Sequence, residues 1–170
     1  MTEDKKNVLG QALRAGMYLG IAIVVTALVL FAMGVKEYDI SHAALSNYRY
    51  LVMALGIYYS LKWYALKNRE FKYSKLLWFG ILVGFFASWA DAFYILAYIK
   101  YLDPQAVDRI LDLLNTQLPP QYKSQMDLIS GQMPMLMTWS TVFSDTFLAL
   151  VYSLFYAFFI KLLGRNIKKN

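Results

Sequence analysis

Long apolar runs separated by short polar segments dominate the pattern along this chain. Each of four runs is long enough, at about 1.5 Å of helix per residue, to cross a hydrocarbon core of about 30 Å. The pattern predicts transmembrane helices at about 15–35, 43–66, 76–99 and 133–163. Four spans and their connections use the whole chain, so we expect an all-α membrane protein with a single domain, 1–170.

The second run is the least apolar of the four, because Arg49 and Lys62 fall inside it. Both residues lie near its ends, where a long basic side chain reaches the lipid headgroups while its stem stays in the membrane. Tyr48, Tyr50 and Trp63 lie near the same ends and fit the aromatic belts of membrane interfaces. We therefore interpret this run as a transmembrane helix.

The segment 103–132 between the third and fourth runs has a helical pattern of its own. Asp103 and Pro104 are typical of a helix start, and Pro119 ends the pattern. Between them, apolar residues recur at helical spacing: Val107, Ile110, Leu111, Leu114 and Leu118. A shorter helix is expected to follow. The segment predicts an amphipathic helical hairpin that lies on the headgroups, caps the bundle or docks a partner.

Most of the seventeen Lys and Arg residues fall on the side of the membrane that holds the N-terminus in a four-span arrangement. Only five fall on the other side: Lys36, Arg49, Lys100, Arg109 and Lys123. Because basic residues mark the cytoplasmic side, both termini are expected in the cytoplasm and the 103–132 segment outside.

The composition supports a membrane location and excludes several kinds of site. Hydrophobic residues make up 59% of the 170 positions, above the about 45–50% of soluble domains. The net charge of +6 comes from basic residues at the ends of apolar runs, which favours headgroup contacts over a nucleic-acid surface. With no cysteine and one histidine, the chain has no disulfide framework and no Cys/His zinc site, so we expect neither metal nor cofactor.

An aspartate interrupts the third run within the stretch FASWADAFY. An ionised Asp at the centre of a membrane helix costs about 2.5 to 3.5 kcal/mol, so Asp91 must face protein or water. Gly80, Gly84, Ser88 and Ala92 place a small residue at every fourth position, which lets another helix approach closely. Asp91 lies one helical turn from Ser88, so we expect it to point into the bundle.

A second aspartate, Asp145, is expected at the same depth in the fourth run, on a polar stripe that includes Tyr152. Two carboxyl groups close together in a low dielectric share a proton, and Arg49 is the obvious counter-ion. The functional interpretation is a proton relay, a cation site or a catalytic pair. The structural interpretation is a buried network of Asp91 with Arg49, Ser88 or a tyrosine that sets the helix register.

Other motifs point to helix packing and not to catalysis. Gly16 and Gly20 form a GxxxG pair on the first run, which adds a packing signal to that of Gly80 and Gly84. The chain contains no GxSxG, HExxH, phosphate-binding glycine loop or nucleotide fingerprint. The pattern therefore favours a non-enzymatic protein.

The junction SWADAFYILAYIKYLDP and the final run TWSTVFSDTFLALVYSLFYAFFIK, in this order of features, resemble a bacterial family of short four-span inner-membrane proteins catalogued as a domain of unknown function. The resemblance covers nearly the whole chain. It implies a bacterial inner membrane and four helices, and it implies no activity.

The chain is also similar to the lipoprotein signal peptidase in length, span number, orientation and aspartate pair, which would make Asp91 and Asp145 catalytic. The local sequences SWADAF and VFSDTF depart from that family's G-N-x-x-D-R and F-N-x-A-D motifs.

Together these features predict a non-enzymatic scaffold or accessory subunit in the lipid bilayer of the bacterial inner membrane, associated with itself or with another membrane protein. The alternative is a small oligomeric transporter or lipid-flippase accessory that uses a buried pair, Asp91 and Asp145. An intramembrane aspartyl protease ranks third.

Overall fold

Helices make up the fold of the described residues, which are 3–37, 47–117 and 130–167 in a computed structural model. No strand occurs in these three ranges. A π-helical turn, Tyr98–Leu102, extends the third of the five α-helices in these ranges. The α-helices are α1 (Glu3–Ala32), α2 (Tyr48–Asn68), α3 (Tyr73–Ala97), α4 (Ala106–Gln117) and α5 (Met133–Ile167).

In the part of the chain that the structure describes, three helical stretches are long and apolar enough to cross a membrane: Asn7–Ala32, Tyr73–Leu102 and Met133–Gly164. They correspond to the first, third and fourth predicted spans. The first begins about eight residues earlier than predicted, because the helical pattern continues through the polar residues before Ala15. The helix α2 covers the described part of the second predicted span. Its basic residues and tyrosines make it less apolar, so a fourth span stays a prediction.

Two chain reversals follow from local chemistry. Gly34 adopts φ 86°, the left-handed conformation that commonly closes a helix, and its N–H donates to the carbonyl of Phe31 at 2.9 Å. At the end of α3 the N–H of Asp103 donates to the carbonyl of Tyr98 at 2.8 Å. Pro104 cannot continue the helix, since it has no N–H. These reversals set the positions of Glu37 and Asp103.

Contacts between the helices, most of them at glycines, show the relative directions of the helices. Gly16 faces Phe86 and Gly20 faces Ala90, so α1 and α3 run parallel. The glycines of α3 meet α5 in the opposite order, with Gly80 at Ser153 and Gly84 at Ala149, so α5 is antiparallel to α3. Gly56 packs on Leu19, and Asn68 donates to the side chain of Gln11 at 2.9 Å, so α2 is antiparallel to α1. The start of α1 and the end of α5 therefore share one end of the bundle.

The main core lies among α1, α2, α3 and α5, and α2 and α3 contribute most of its buried residues. A smaller cluster near the opposite end joins Ala106 at the start of α4 to Tyr98, Ile99 and Ala27. The first helix of the predicted 103–132 hairpin is therefore present as α4, and its start packs against the bundle. The second helix of the hairpin, predicted after Pro119, falls mainly on 118–129, which lie outside the described residues.

Candidate functional site

The close packing of α3 on α5 brings two aspartates together. A Cβ atom on Gly84 would overlap that of Ala149, and one turn further on Ser88 Oγ lies 3.3 Å from Thr146 Oγ1. After one more turn, Asp91 and Asp145 meet with their carboxyl groups within hydrogen-bonding reach. Asp91 has no exposed surface and Asp145 is 6% exposed. The register of the small residues thus places the two acids opposite each other.

Arg49 of α2 joins this pair to a third acid. Its Nε lies 3.2 Å from Asp91 Oδ2, and its Nη2 lies 3.1 Å from Glu37 Oε1. The guanidinium also lies over the rings of Tyr48 and Tyr94, at 5.6 and 6.0 Å from their centroids. We call Glu37, Arg49, Asp91 and Asp145 the acid cluster.

Glu37 lies in a short polar segment after α1 and is not among the site residues predicted from the sequence. The Gly34 reversal turns this segment back against the bundle, where Glu37 is 7% exposed. The Tyr48 hydroxyl donates to Glu37 Oε1 at 3.1 Å. Burial raises the pKa of the Glu37 carboxyl above its usual value, against the opposing attraction of Arg49. In the sequence, the pattern that indicates this contact is a glycine at the end of a helix with an acidic residue three positions later.

Polar contacts continue from the acid cluster to the bundle surface. The N–H of Glu37 donates to the Tyr98 hydroxyl at 3.0 Å, and that hydroxyl donates to Asp103 Oδ2 at 3.1 Å. Asp103 pairs through both carboxylate oxygens with Arg109, which is partly exposed. Burial acts to raise the pKa of Asp103, but hydrogen bonds from Arg109 and Tyr98 outweigh it and hold the pKa below its usual value.

Acidic groups exceed basic groups in the acid cluster. Two carboxyl groups contact the one guanidinium and a third lies against Asp91, so full ionisation would leave an excess of negative charge in a buried site, which is costly. Asp91 Oδ1 and Asp145 Oδ2 accept no hydrogen bond from the residues that the structure describes. Two carboxylates are acceptors only, so contact between them requires a proton or a cation. The arrangement is therefore suited to hold one of these.

Comparison with known families gives one match. The DUF4199 family, described as "Protein of unknown function", matches residues 14–162. The chain belongs to the DUF4199 family. This confirms the expected membership in a domain-of-unknown-function family, and the matched range includes all four residues of the acid cluster. Neither the curated proteins nor the solved structures contain a match to the chain.

The other predicted site residues of this DUF4199 chain lie outside the acid cluster. Ser88 donates to the carbonyl of Phe85 at 2.8 Å and contacts Thr146. Tyr152 lies two turns along α5 from Asp145, and its ring stacks on Tyr156 at 6.3 Å. The aromatic neighbours of the acid cluster are other tyrosines, Tyr48 and Tyr94. Helix register, which sequence alone does not supply, decides which tyrosines come close.

The predicted packing glycines lie inside the bundle. Gly16 and Gly20 contact α3, and Gly80 and Gly84 contact α5. Their small-residue faces are thus used within one chain of this DUF4199 protein. Among the described residues, no three acids or histidines are grouped so as to hold a metal ion, and Arg49 lies between Glu37 and Asp91.

Proposed function

We propose that this DUF4199 protein is an integral membrane protein that binds a proton, or a monovalent cation in its place, in the acid cluster. It would use this site as a small oligomeric transporter or as a transporter accessory. The observation that carries the proposal is the grouping of three buried carboxyl groups with one guanidinium, which contacts Glu37 and Asp91 while Asp145 lies against Asp91. Ionisable residues inside a membrane bundle are costly, and they commonly mark ion or proton pathways.

The contacts toward Arg109 support a route to this site. Asp103 and Tyr98 connect Arg109, at the bundle surface, to the backbone of Glu37. Hydroxyl and carboxyl groups exchange protons, but a backbone N–H does not, so a route along these contacts requires a water molecule between the Tyr98 hydroxyl and the Glu37 carboxyl group. The proposal includes a homo-oligomer or a larger membrane protein as partner, which would complete an enclosed path.

The proposal also includes four spans in a bacterial inner membrane. Arg49 of α2 is turned into the bundle, and Lys62 and Lys67 lie toward the other end of the helix, from which they can reach headgroups. The distribution of basic residues then puts both termini in the cytoplasm and the acid cluster near the outer face.

The experiment compares the protein with its Asp91→Asn and Asp145→Asn variants in liposomes that contain a pH-sensitive dye and, in a parallel assay, a sodium-sensitive dye. With a membrane potential imposed, the wild type is expected to move protons or sodium ions, and both variants are expected to lose this flux. Asp112→Asn makes the same charge change at an exposed position of α4, and this variant should keep the ion flux. Wild-type flux no higher than that of empty liposomes would remove the transport proposal.

Infrared spectroscopy tests proton binding separately from transport. A protonated carboxyl group has a distinct C=O stretching band, which should be present at neutral pH in the wild type and absent in Asp145→Asn. Absence of the band from the wild type at neutral pH, with no sodium binding, would contradict an acid cluster that holds a proton or a cation.

A scaffold or accessory subunit without ion movement is the second candidate. The observation that favours it is that the acid cluster ties together α2, α3, α5 and the segment after α1. A purely structural network would make Asp91→Asn reduce folding and accumulation while the wild type moves no ions. Asp91 has no surface exposed to a substrate, which argues against proteolysis by this pair.

A further inference from the structure

A groove lies between α1 and α2 and encloses about 700 Å³. Its floor forms where Leu19 packs on Gly56, at a place where a Cβ atom on residue 56 would overlap the leucine side chain. The remaining walls are largely apolar and include Ala15, Tyr18, Val52, Leu55 and Tyr59. Tyr18 and Tyr59 are 75% and 63% exposed, so the groove opens outward from the bundle.

One end of the groove is basic. Arg14 of α1 and Lys67 of α2 both line it, and the hydrogen bond between Asn68 and Gln11 shows that these parts of the two helices lie at one level. The Lys67 Nζ lies 4.5 Å from the centroid of the Trp63 ring. No described carboxylate pairs with either basic residue, and nearby Glu70 pairs with Lys75. This end therefore attracts anions.

The groove has the length of one membrane leaflet. Its lining on α1 runs from Gln11 to Ala22, or about 16 Å at the helical rise. Half of a hydrocarbon core of about 30 Å is about the same. An apolar channel of this length that ends in two cations complements a phospholipid, whose acyl chain and phosphate have the same arrangement.

We propose that the groove binds one anionic phospholipid, with its phosphate between Arg14 and Lys67 and one acyl chain along Leu19 and Gly56. A guanidinium can donate two hydrogen bonds to a phosphate, while Lys67 acts as a point charge. Basic pockets between membrane helices on the cytoplasmic side commonly bind anionic headgroups. The inference uses none of the residues of the acid cluster, and it rests on the proposed function only for the placement of α1 and α2 in the membrane.

Native mass spectrometry of the full chain in mild detergent tests the charge requirement. The probe is an equal mixture of dioleoyl phosphatidylglycerol and dioleoyl phosphatidylcholine. We expect one phosphatidylglycerol molecule to be retained in preference. Arg14→Gln and Lys67→Gln should each weaken this binding about fivefold, which corresponds to ~1 kcal/mol per cation. Equal retention of both lipids by the wild type would overturn the proposal.

Lys72→Gln is the matched control, because Lys72 is exposed near the same end of the bundle and does not line the groove. It should leave the lipid preference unchanged. An equal loss in all three variants would indicate attraction by net charge alone and would overturn a defined site.

A second pair of variants tests the groove without changing charge. Ala22 lines the groove, so Ala22→Trp should fill it and abolish preferential retention. Val25→Trp places the same side chain at an exposed position outside the groove and should retain the lipid. Wild-type retention by Ala22→Trp would show that no acyl chain occupies the groove. Circular dichroism of each variant checks folding, and the two glutamine variants, at exposed positions, keep the test valid if the tryptophan disrupts the helix.

Discussion

Arg49 Nε lies 3.2 Å from Oδ2 of Asp91, whose side chain has no exposed surface. The same guanidinium contacts Glu37 at 3.1 Å. A buried ion pair contributes little net stability compared with a well-packed apolar pair, but loss of one partner is costly because it leaves a charge unpaired. Because carboxyl groups are in excess, the loss of Arg49 costs more than the loss of Glu37. Removal of Arg49 leaves the acids of the acid cluster without a cation, whereas removal of Glu37 leaves Arg49 paired with Asp91.

Arg49→Gln should lower the free energy of unfolding by about 3–5 kcal/mol. The physical reason is that Glu37 and Asp91 stay buried without their counter-ion. Denaturant titration in detergent measures the change. Lys62→Gln, on the same helix at an exposed position, should change stability by less than about 0.5 kcal/mol. Equal effects of the two substitutions would show that Arg49 is not a buried counter-ion.

Glu37 should make stability depend on pH. Burial raises its pKa above the usual 4.5, so the folded protein binds this proton more tightly than the unfolded chain. Its contribution is therefore complete below pH 4.5 and is lost as the pH rises through the folded pKa. The stability of the wild type relative to Glu37→Gln should increase as the pH falls from 7 to 4.5 in denaturant titrations.

Glu70 provides a control of opposite sign. Burial acts to raise its pKa, but a hydrogen bond from Lys75 and further basic contacts hold the pKa below the usual value. Its contribution is present above pH 4.5 and is lost as the pH falls through the folded pKa. The stability of the wild type relative to Glu70→Gln should therefore decrease as the pH falls. If the two relative stabilities changed in the same direction with pH, the result would contradict the burial of Glu37.

Asp103 should hold the start of α4 against the bundle. Its pKa lies below the usual 3.8, so the Arg109 and Tyr98 contacts stabilise the fold above that pH and weaken as the pH falls through the folded pKa. Asp103→Asn should speed hydrogen exchange at the amide of Ala106 near neutral pH, whereas Asp112→Asn should not. Unchanged exchange in Asp103→Asn would show that other contacts hold α4.

Gly84→Ala should destabilise the protein by about 1–3 kcal/mol, since the new methyl group would overlap the side chain of Ala149. Gly10 has no atom within 4 Å of its missing Cβ, so Gly10→Ala should instead stabilise α1 by about 0.5–1 kcal/mol. The pair Gly84→Ala and Ala149→Gly should be less destabilising than the sum of the single changes. Strict additivity would mean that the two residues are not in contact.

Parts of this architecture follow from local sequence. The apolar runs predict the candidate spans Asn7–Ala32, Tyr73–Leu102 and Met133–Gly164, because insertion depends on the hydrophobicity of each segment alone. Basic residues and tyrosines lower the hydrophobicity of α2. Only the orientation of these side chains decides whether they face lipid. That Asp91 must avoid lipid is also a local inference from the cost of a charge in hydrocarbon.

The sequence by itself determined the helical class, the three apolar spans and the need to shelter Asp91. Only the tertiary structure decided that Glu37 joins Arg49, that Tyr152 lies elsewhere, and that a groove with a basic end opens between α1 and α2. The cost of burying a residue depends on that residue and its segment. Contacts between helices depend on register, which all packed side chains set together.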